Sequence, residues 1–215
     1  MGFKNNEDLE LRNLIERWAI WRDAGYWEKF RTVWHDDGWM MATWIQCSCD
    51  DFIEANKAGW KKGIRILHFL GGSDIRISGN RAITETKMTI SQRGLVKDVE
   101  CDALCTGRFF DFWEKREGKW GMVLRQPIYE KDRIDVVEPG AQLVFNDEDR
   151  AILAQFPMGY QYLATIQTQA GYRVKRDMPG IDGEMVEKLY KAGEDWLNQG
   201  PIDITNNWRT YGDRS

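Results

Sequence analysis

The sequence predicts an α+β fold in which helices pack on one face of a curved sheet. Three observations carry this. Apolar residues recur at helical spacing near the start of the chain, long strand-like runs separated by turn pairs fill its middle, and helical spacing returns after Pro139-Gly140.

The first stripe is Leu11, Leu14, Ile15, Trp18 and Trp21, at intervals of three and four, and Asp23 ends it before Gly25. A short second helix should carry Trp27, Phe30, Val33 and Trp34 up to a turn at Asp36-Asp37-Gly38, with a strand from Trp39 to Cys47. Ser48 or Asp50 is placed to cap a third helix over Phe52, Ile53 and Ala55, which Gly63 stops. Five strand-like runs follow: 64–69, 75–78, 82–92, 96–113 and 120–133. The pairs Gly79-Asn80, Arg93-Gly94 and Glu117-Gly118 punctuate them as hairpin turns. Beyond residue 139, segments 147–169 and 183–199 show helical stripes containing Phe156, Leu189 and Trp196. The expected organisation is therefore a domain over residues 1–138 and a helical extension over 139–215.

At 215 residues the chain suits one large domain with an appendage. Its 42% hydrophobic and 30% charged residues are those of a soluble globular protein. Thirty Lys+Arg against 34 Asp+Glu give a net charge of -4, which lacks the basic surplus that drives nucleic-acid binding. No apolar run is long enough to span a membrane, and the charged opening MGFKNNEDLE is unlike a signal peptide, so a cytoplasmic location without membrane partners is expected. Cys47, Cys49, Cys101 and Cys105 read as reduced thiols, since their spacing fits no common zinc knuckle. With no phosphate loop, dinucleotide fingerprint or serine-nucleophile elbow, neither a cofactor nor a metal is expected.

Eleven tryptophans are the unusual feature, because seven of them (Trp18, Trp21, Trp27, Trp34, Trp39, Trp44 and Trp60) fall within the first 60 residues. Indoles at that density can line an apolar cavity for a flat or ring-bearing ligand while keeping N–H donors available. Only two histidines exist. His35 sits in the Trp34-His35-Asp36-Asp37-Gly38 turn, where a surface or capping role is expected, whereas His68 lies among Ile64, Ile66, Leu67, Phe69 and Leu70 and needs a polar partner if buried. Asp23 offers one, because a carboxylate at a helix C-terminus faces the unfavourable end of the dipole and needs a compensating donor. Asp111 and Arg125 break apolar strands, either toward a cavity or as an inter-strand ion pair. Tyr26, Trp44 and Trp113 are further candidates to place donors near a substrate oxygen.

The opening Asp23-Ala24-Gly25-Tyr26-Trp27-Glu28-Lys29-Phe30, the run from His68 to Ile77 with its Ser78-Gly79-Asn80-Arg81 hairpin, and Gly107-Arg108-Phe109-Phe110-Asp111 with Arg116-Glu117-Gly118-Lys119-Trp120 resemble the SnoaL-like branch of the nuclear transport factor 2-like superfamily. The resemblance covers about residues 8 to 135. It implies a cone, a strongly bent mixed sheet wrapped around the N-terminal helices over a deep apolar pocket. In the scytalone dehydratase and hexachlorocyclohexane dehydrochlorinase members an Asp and a His form the catalytic dyad, and Asp23 and His68 occupy those positions. Scytalone dehydratase has a second active-site histidine with no counterpart here, and the extension after Glu138 is longer than in those members.

The resulting expectation is a cofactor-free lyase, of dehydratase or dehydrohalogenase type, acting on a hydrophobic cyclic or aromatic small molecule. A noncatalytic ligand-binding protein, or an isomerase or cyclase using the same pocket, is the alternative. Phe110 and Phe112 on one sheet face, with Phe109 and Trp113 on the other, suggest that the outer face needs a cover. The resemblance implies a homotrimer or homodimer as that cover. The extension is expected either to cap the mouth of the cone or to pack on the outer sheet or a neighbouring subunit.

Overall fold

The computed structural model describes residues 6–202. Among them are α1 (Asn6–Asp23), α2 (Trp27–Arg31), β1 (Trp34–Met41), β2 (Gln46–Ser48), α3 (Cys49–Lys61), β3 (Ile66–Ser78), β4 (Arg81–Val96), β5 (Val99–Arg116), β6 (Lys119–Val136), α4 (Asp147–Leu153), α5 (Gln161–Gln169) and α6 (Glu184–Leu197). The strands form one curved open sheet in the order β2-β1-β6-β5-β4-β3. It is mixed, because β1 runs parallel to β6 while every other pair is antiparallel.

Local chemistry explains most boundaries. Ser48 caps α3, its hydroxyl accepting from the Asp51 N–H at 3.1 Å, and Gly63 ends the helix at a positive φ of 84°. Three expected boundaries move. Asp36-Asp37-Gly38 is no turn but lies inside β1, where the pairing with β6 shifts register; Gly38 is needed there because a Cβ would meet Met122 O at 3.1 Å and His35 O at 2.9 Å. Consequently α2 stops at Arg31, and Trp34 belongs to the strand. The runs 64–69 and 75–78 are a single strand, β3, whose pairing with β4 breaks only between Leu70 and Ser73, across Gly71-Gly72. Gly94 does not turn the chain: it stays in β4 opposite Cys101, and Ile166 of α5 fills the place of its side chain, 2.7 Å from where a Cβ would sit. The β4–β5 hairpin instead turns at Lys97-Asp98, both at positive φ (51° and 62°), as a tight primed turn requires.

The sheet separates two apolar clusters. On the concave face Trp18, Phe30, Phe52, Phe109, Trp113, Tyr129 and Leu163 pack together, joining α1, α2, α3 and α5 to the strands. On the other face Phe110, Phe112, Leu124 and Ile128 are covered by Val186, Leu189, Trp196 and Leu197 of α6. That helix fits closely because Gly193 has no side chain; a Cβ there would lie 2.8 Å from the Phe110 ring. The Trp196 indole donates to Trp113 O at 3.2 Å, and the Arg81 guanidinium lies 3.7 Å from the centre of its ring.

The extension is thus divided between the faces. The segment expected as one helix over 147–169 is two, α4 and α5, interrupted around Pro157, and α5 lies on the concave side against β4, β5 and β6. α6 covers the outer-face phenylalanines whose exposure suggested a second copy of the chain. The last expected tail residues, 203–215, lie outside the described residues. Among the described residues no helix is long and apolar enough to cross a membrane.

Candidate active site

Asp23 is the last residue of α1, and its neighbour Arg22 lies on the buried face of that helix. Strand alternation directs the partner: Ile66 and the His68 ring turn inward, while Leu67 and Phe69 turn to solvent at 57% and 83% exposure. The two elements meet through one carboxylate. Asp23 Oδ2 accepts the His68 backbone N–H at 2.5 Å, and Oδ1 accepts from Nδ1 of the ring at 2.8 Å. Arg22 fixes the helix end to the same strand, donating from Nη1 to Ile66 O at 2.7 Å and from Nη2 to Asn56 Oδ1 at 2.7 Å. Its Nη1 also reaches Asp23 Oδ1 at 3.3 Å.

Burial lowers the His68 pKa against the opposing pull of Asp23, and the nearby Arg22 and Arg125 cations lower it further. For Asp23, burial alone would raise the pKa. The His68 donors and Arg22 outweigh it and hold the carboxyl below the usual range. The pair therefore rests at neutral pH as carboxylate and neutral imidazole. With its proton on Nδ1, the ring keeps the Nε2 lone pair, and Nε2 has no hydrogen-bond partner among the described residues.

The ring stands on the wall of a cavity that holds about 380 Å³ of non-protein space, its mouth included. Trp18 meets the imidazole edge-on at 5.2 Å between centroids, and Phe109 lies at 5.8 Å. Met40, Trp44, Phe52, Ile90, Tyr129 and Leu163 continue the apolar lining, with Arg22, Thr43 and Gln167 among its polar members. A second chamber, of about 360 Å³ on the same measure, adjoins it and shares Arg22, Trp44, Ile66 and Gln167 with the first. Trp27, Trp60, Asn56, Gln92 and Tyr172 are among the residues that line the second chamber alone. Of the seven early tryptophans, Trp18, Trp27, Trp44 and Trp60 line one chamber or both.

Several sequence candidates lie elsewhere. Tyr26, in the turn ahead of α2, is 53% exposed, with the Lys29 ammonium 5.2 Å from its ring centre, and lines neither chamber. Trp113 is wholly buried and lines neither chamber, its indole donating to Thr84 Oγ1 at 2.9 Å. Asp111 and Arg125 are cross-strand neighbours and form a two-pronged ion pair, Nε to Oδ1 and Nη2 to Oδ2 both at 2.7 Å. Burial raises the Asp111 pKa while Arg125 and Thr84 oppose the rise. The Arg125 guanidinium lies against both the Trp18 and Phe109 rings, 4.1 and 4.0 Å from their centres, which are 5.4 Å apart edge to face, so it supports two aromatic walls of the cavity without lining it. His35 has a structural place: its Nε2 donates to Glu114 O at 2.8 Å and its ring occupies the space beside Gly121.

Other lining residues carried no sequence signal of their own. Leu163 and Gln167 belong to α5 and Tyr172 to the loop after it, about 100 residues beyond His68 in the chain. Thr43 fixes Gln167 by donating to Oε1 at 2.6 Å. The four cysteines are free thiols, and among the described residues no cluster of three or more His, Cys, Asp or Glu is arranged to hold a metal.

Comparison with known proteins agrees with this architecture. The chain is 39% identical over 209 residues to Pea pathogenicity protein 2 of Fusarium vanettenii, covering 92% of this chain and 88% of that one. Among solved structures, a hexachlorocyclohexane dehydrochlorinase (LinA) type 2 superposes with a TM-score of 0.53 at 12% identity, over 62% of this chain and 95% of that one. A putative scytalone dehydratase from Novosphingobium aromaticivorans superposes with a TM-score of 0.50 at 14% identity, over 64% and 95%. At such identities these two likenesses establish the fold. The model of the SnoaL-like domain matches residues 6–126, from the start of α1 into β6, and the chain belongs to the SnoaL-like domain family.

Proposed function

We propose that the protein is a lyase of the dehydratase or dehydrohalogenase type, in which His68 removes a carbon-bound proton from a hydrophobic, ring-bearing substrate and Asp23 holds the imidazole in position. One observation carries this reading. A neutral histidine has its Nδ1 engaged by a carboxylate at 2.8 Å and its ring on the wall of an aromatic cavity, the arrangement a general base requires.

The Nε2 lone pair takes the proton, and the C–H electrons become the new C=C bond as the neighbouring C–O or C–halogen bond breaks. The leaving group departs with that bond's electrons, as halide or, after receiving a proton from the imidazolium, as water. Asp23 stabilises the imidazolium between those two events. The aromatic walls exclude water and strengthen the interaction of the ion pair. The names of the two solved neighbours, a dehydrochlorinase and a putative dehydratase, are consistent with eliminations on this fold.

The test uses 3-hydroxy-1-tetralone, which loses water to give fluorescent 1-naphthol, and γ-hexachlorocyclohexane, followed by chloride release. The unmodified protein should accelerate at least one of these reactions, and His68→Ala should lose about 10²-fold to 10⁴-fold of that rate. If neither probe is turned over, or if His68→Ala folds and keeps the full rate, the proposal fails.

A further inference from the structure

One oxygen of Asp23 is contested. Oδ1 accepts from His68 Nδ1 at 2.8 Å and lies 3.3 Å from Arg22 Nη1, so a neutral imidazole and a guanidinium reach for the same atom. A cationic donor binds a carboxylate more strongly than a neutral one does. The buried pair between β5 and β6 follows that rule, with Arg125 holding both oxygens of Asp111 at 2.7 Å. At the end of α1 the order is reversed: the imidazole is close and the guanidinium stands off.

The restraint on Arg22 comes from its other bonds. Its Nη1 donates to Ile66 O on β3 and its Nη2 to Asn56 Oδ1 on α3, both at 2.7 Å. Asn56 is itself fixed, because its Nδ2 donates to Phe52 O, one helical turn back, at 2.7 Å. Arg22 is 7% exposed and Asn56 5%, so each depends on the other rather than on solvent. An asparagine inside a helix is less favourable than an alanine, and at this position the amide gains a buried partner.

We propose that Asn56 is a positioning residue of the dyad: by holding the Arg22 guanidinium from α3, it keeps the cation from drawing Asp23 Oδ1 away from His68. Without Asn56, Nη2 is a buried donor lacking an acceptor, and the carboxylate that the guanidinium already approaches is Asp23. The gap to Oδ1 is small enough for a side-chain adjustment to close. The proposal deepens the lyase reading and rests on it for its effect on turnover, since a ring released by Asp23 loses its fixed tautomer. The charged and titratable groups around the imidazole are Asp23 and Arg22 on α1 and Arg125 on β6, and the Tyr172 hydroxyl lies near Arg22.

Proton and nitrogen-15 NMR of the His68 ring, in the full chain, reads the contact. In the unmodified protein the Nδ1 proton, bonded to a carboxylate, should give a signal far downfield. Asn56→Leu keeps the volume and removes the acceptor. It should lose that signal and shift the His68 titration to lower pH, because Arg22 then offsets the Asp23 charge that favours the imidazolium. Adding Arg22→Met should bring the signal back, as no cation then competes for Oδ1, whereas lost packing would not be repaired by a second substitution. If Asn56→Leu fails to fold, Asn56→Ser makes the same comparison: its hydroxyl can serve Phe52 O from within the helix but is too short to reach Arg22. A folded Asn56 variant whose signal and titration match those of the unmodified protein overturns the proposal. So does a signal that Arg22→Met fails to restore, or one absent from the unmodified protein. None of these readings needs a substrate, so failure of the elimination assays would leave the role of Asn56 toward Asp23 standing.

Discussion

Asp132, on β6, caps the helix that carries Leu163: its Oδ2 accepts the backbone N–H of Leu163 at 3.0 Å and that of Tyr162 at 2.6 Å. A sheet residue therefore holds α5, which supplies Leu163 and Gln167 to the cavity. The attachment is reinforced where Gly159 packs on Tyr129, since a Cβ there would lie 2.2 Å from Tyr129 O, and where the Tyr160 hydroxyl donates to Lys175 O at 2.8 Å.

Burial raises the Asp132 carboxyl from 3.8 to about 6, against the opposing effect of the backbone donors. A folded-state pKa above the unfolded value means that the folded chain holds the proton more tightly. The contribution of this group to stability is therefore complete below about pH 4 and is lost as pH rises through about 6. Asp132→Asn keeps an acceptor for α5 and removes the titration. Its stability relative to the unmodified protein should rise by about 1 to 2 kcal/mol between pH 4 and pH 7, after allowance for solvent screening of the part-exposed carboxyl. Urea unfolding of both proteins across that range measures the difference. A difference that stays flat with pH rules the linkage out.

The Asp111–Arg125 pair, wholly buried between strands, should be intolerant of losing one partner. Arg125→Ala leaves an unpaired carboxylate and removes the cation packed against the Trp18 and Phe109 rings, and about 3 to 5 kcal/mol of destabilisation is expected. The double variant Asp111→Leu with Arg125→Met should recover much of that loss. Chemical denaturation of the three proteins decides, and a single variant as stable as the parent would show that the pair has no such structural weight.

On the outer face, Leu189→Ala should cost about 2 to 5 kcal/mol, because the side chain is fully buried against the second apolar cluster. Since Phe110 and Phe112 lie beneath α6, the variant should also bind more of a hydrophobic dye such as ANS. An unchanged unfolding midpoint would contradict the placement of α6 on the sheet.

The amino-acid pattern made the layers of this fold legible, because helical spacing in α1 and period-two alternation in the long strands are properties of local chain geometry. The errors in boundary have one cause: partners distant in sequence. Gly94 looks like a turn residue until Ile166 of α5 is seen filling the space above it, and Asp36-Asp37-Gly38 looks like a turn until β6 is placed alongside. The site divides in the same way. Asp23 and His68 stand out as polar residues in apolar segments, and Asp111 and Arg125 stood out for the same reason yet satisfy each other. Gln167 and Tyr172 sit in ordinary polar surroundings, and only the folding back of the extension brings them to the cavity.

Nitrogen-15 NMR of the imidazole rings reads the protonation of His68 itself, because His35 and His68 are the only two histidines in the chain. At pH 7 the His68 ring should be neutral, with its proton on Nδ1, bonded to Asp23, and a bare Nε2. It should gain a second proton only below the ordinary histidine value of 6.5, since burial and the two nearby arginines oppose the charge. Because that folded-state pKa lies below the unfolded one, stability from this group should be complete above about pH 6.5 and decline as pH falls below it. Asp23→Asn should lower the His68 pKa further, by removing the charge that favours the imidazolium. A His68 ring that is protonated on both nitrogens at pH 7, or neutral with its proton on Nε2, would leave no free lone pair on Nε2 and would rule His68 out as the base.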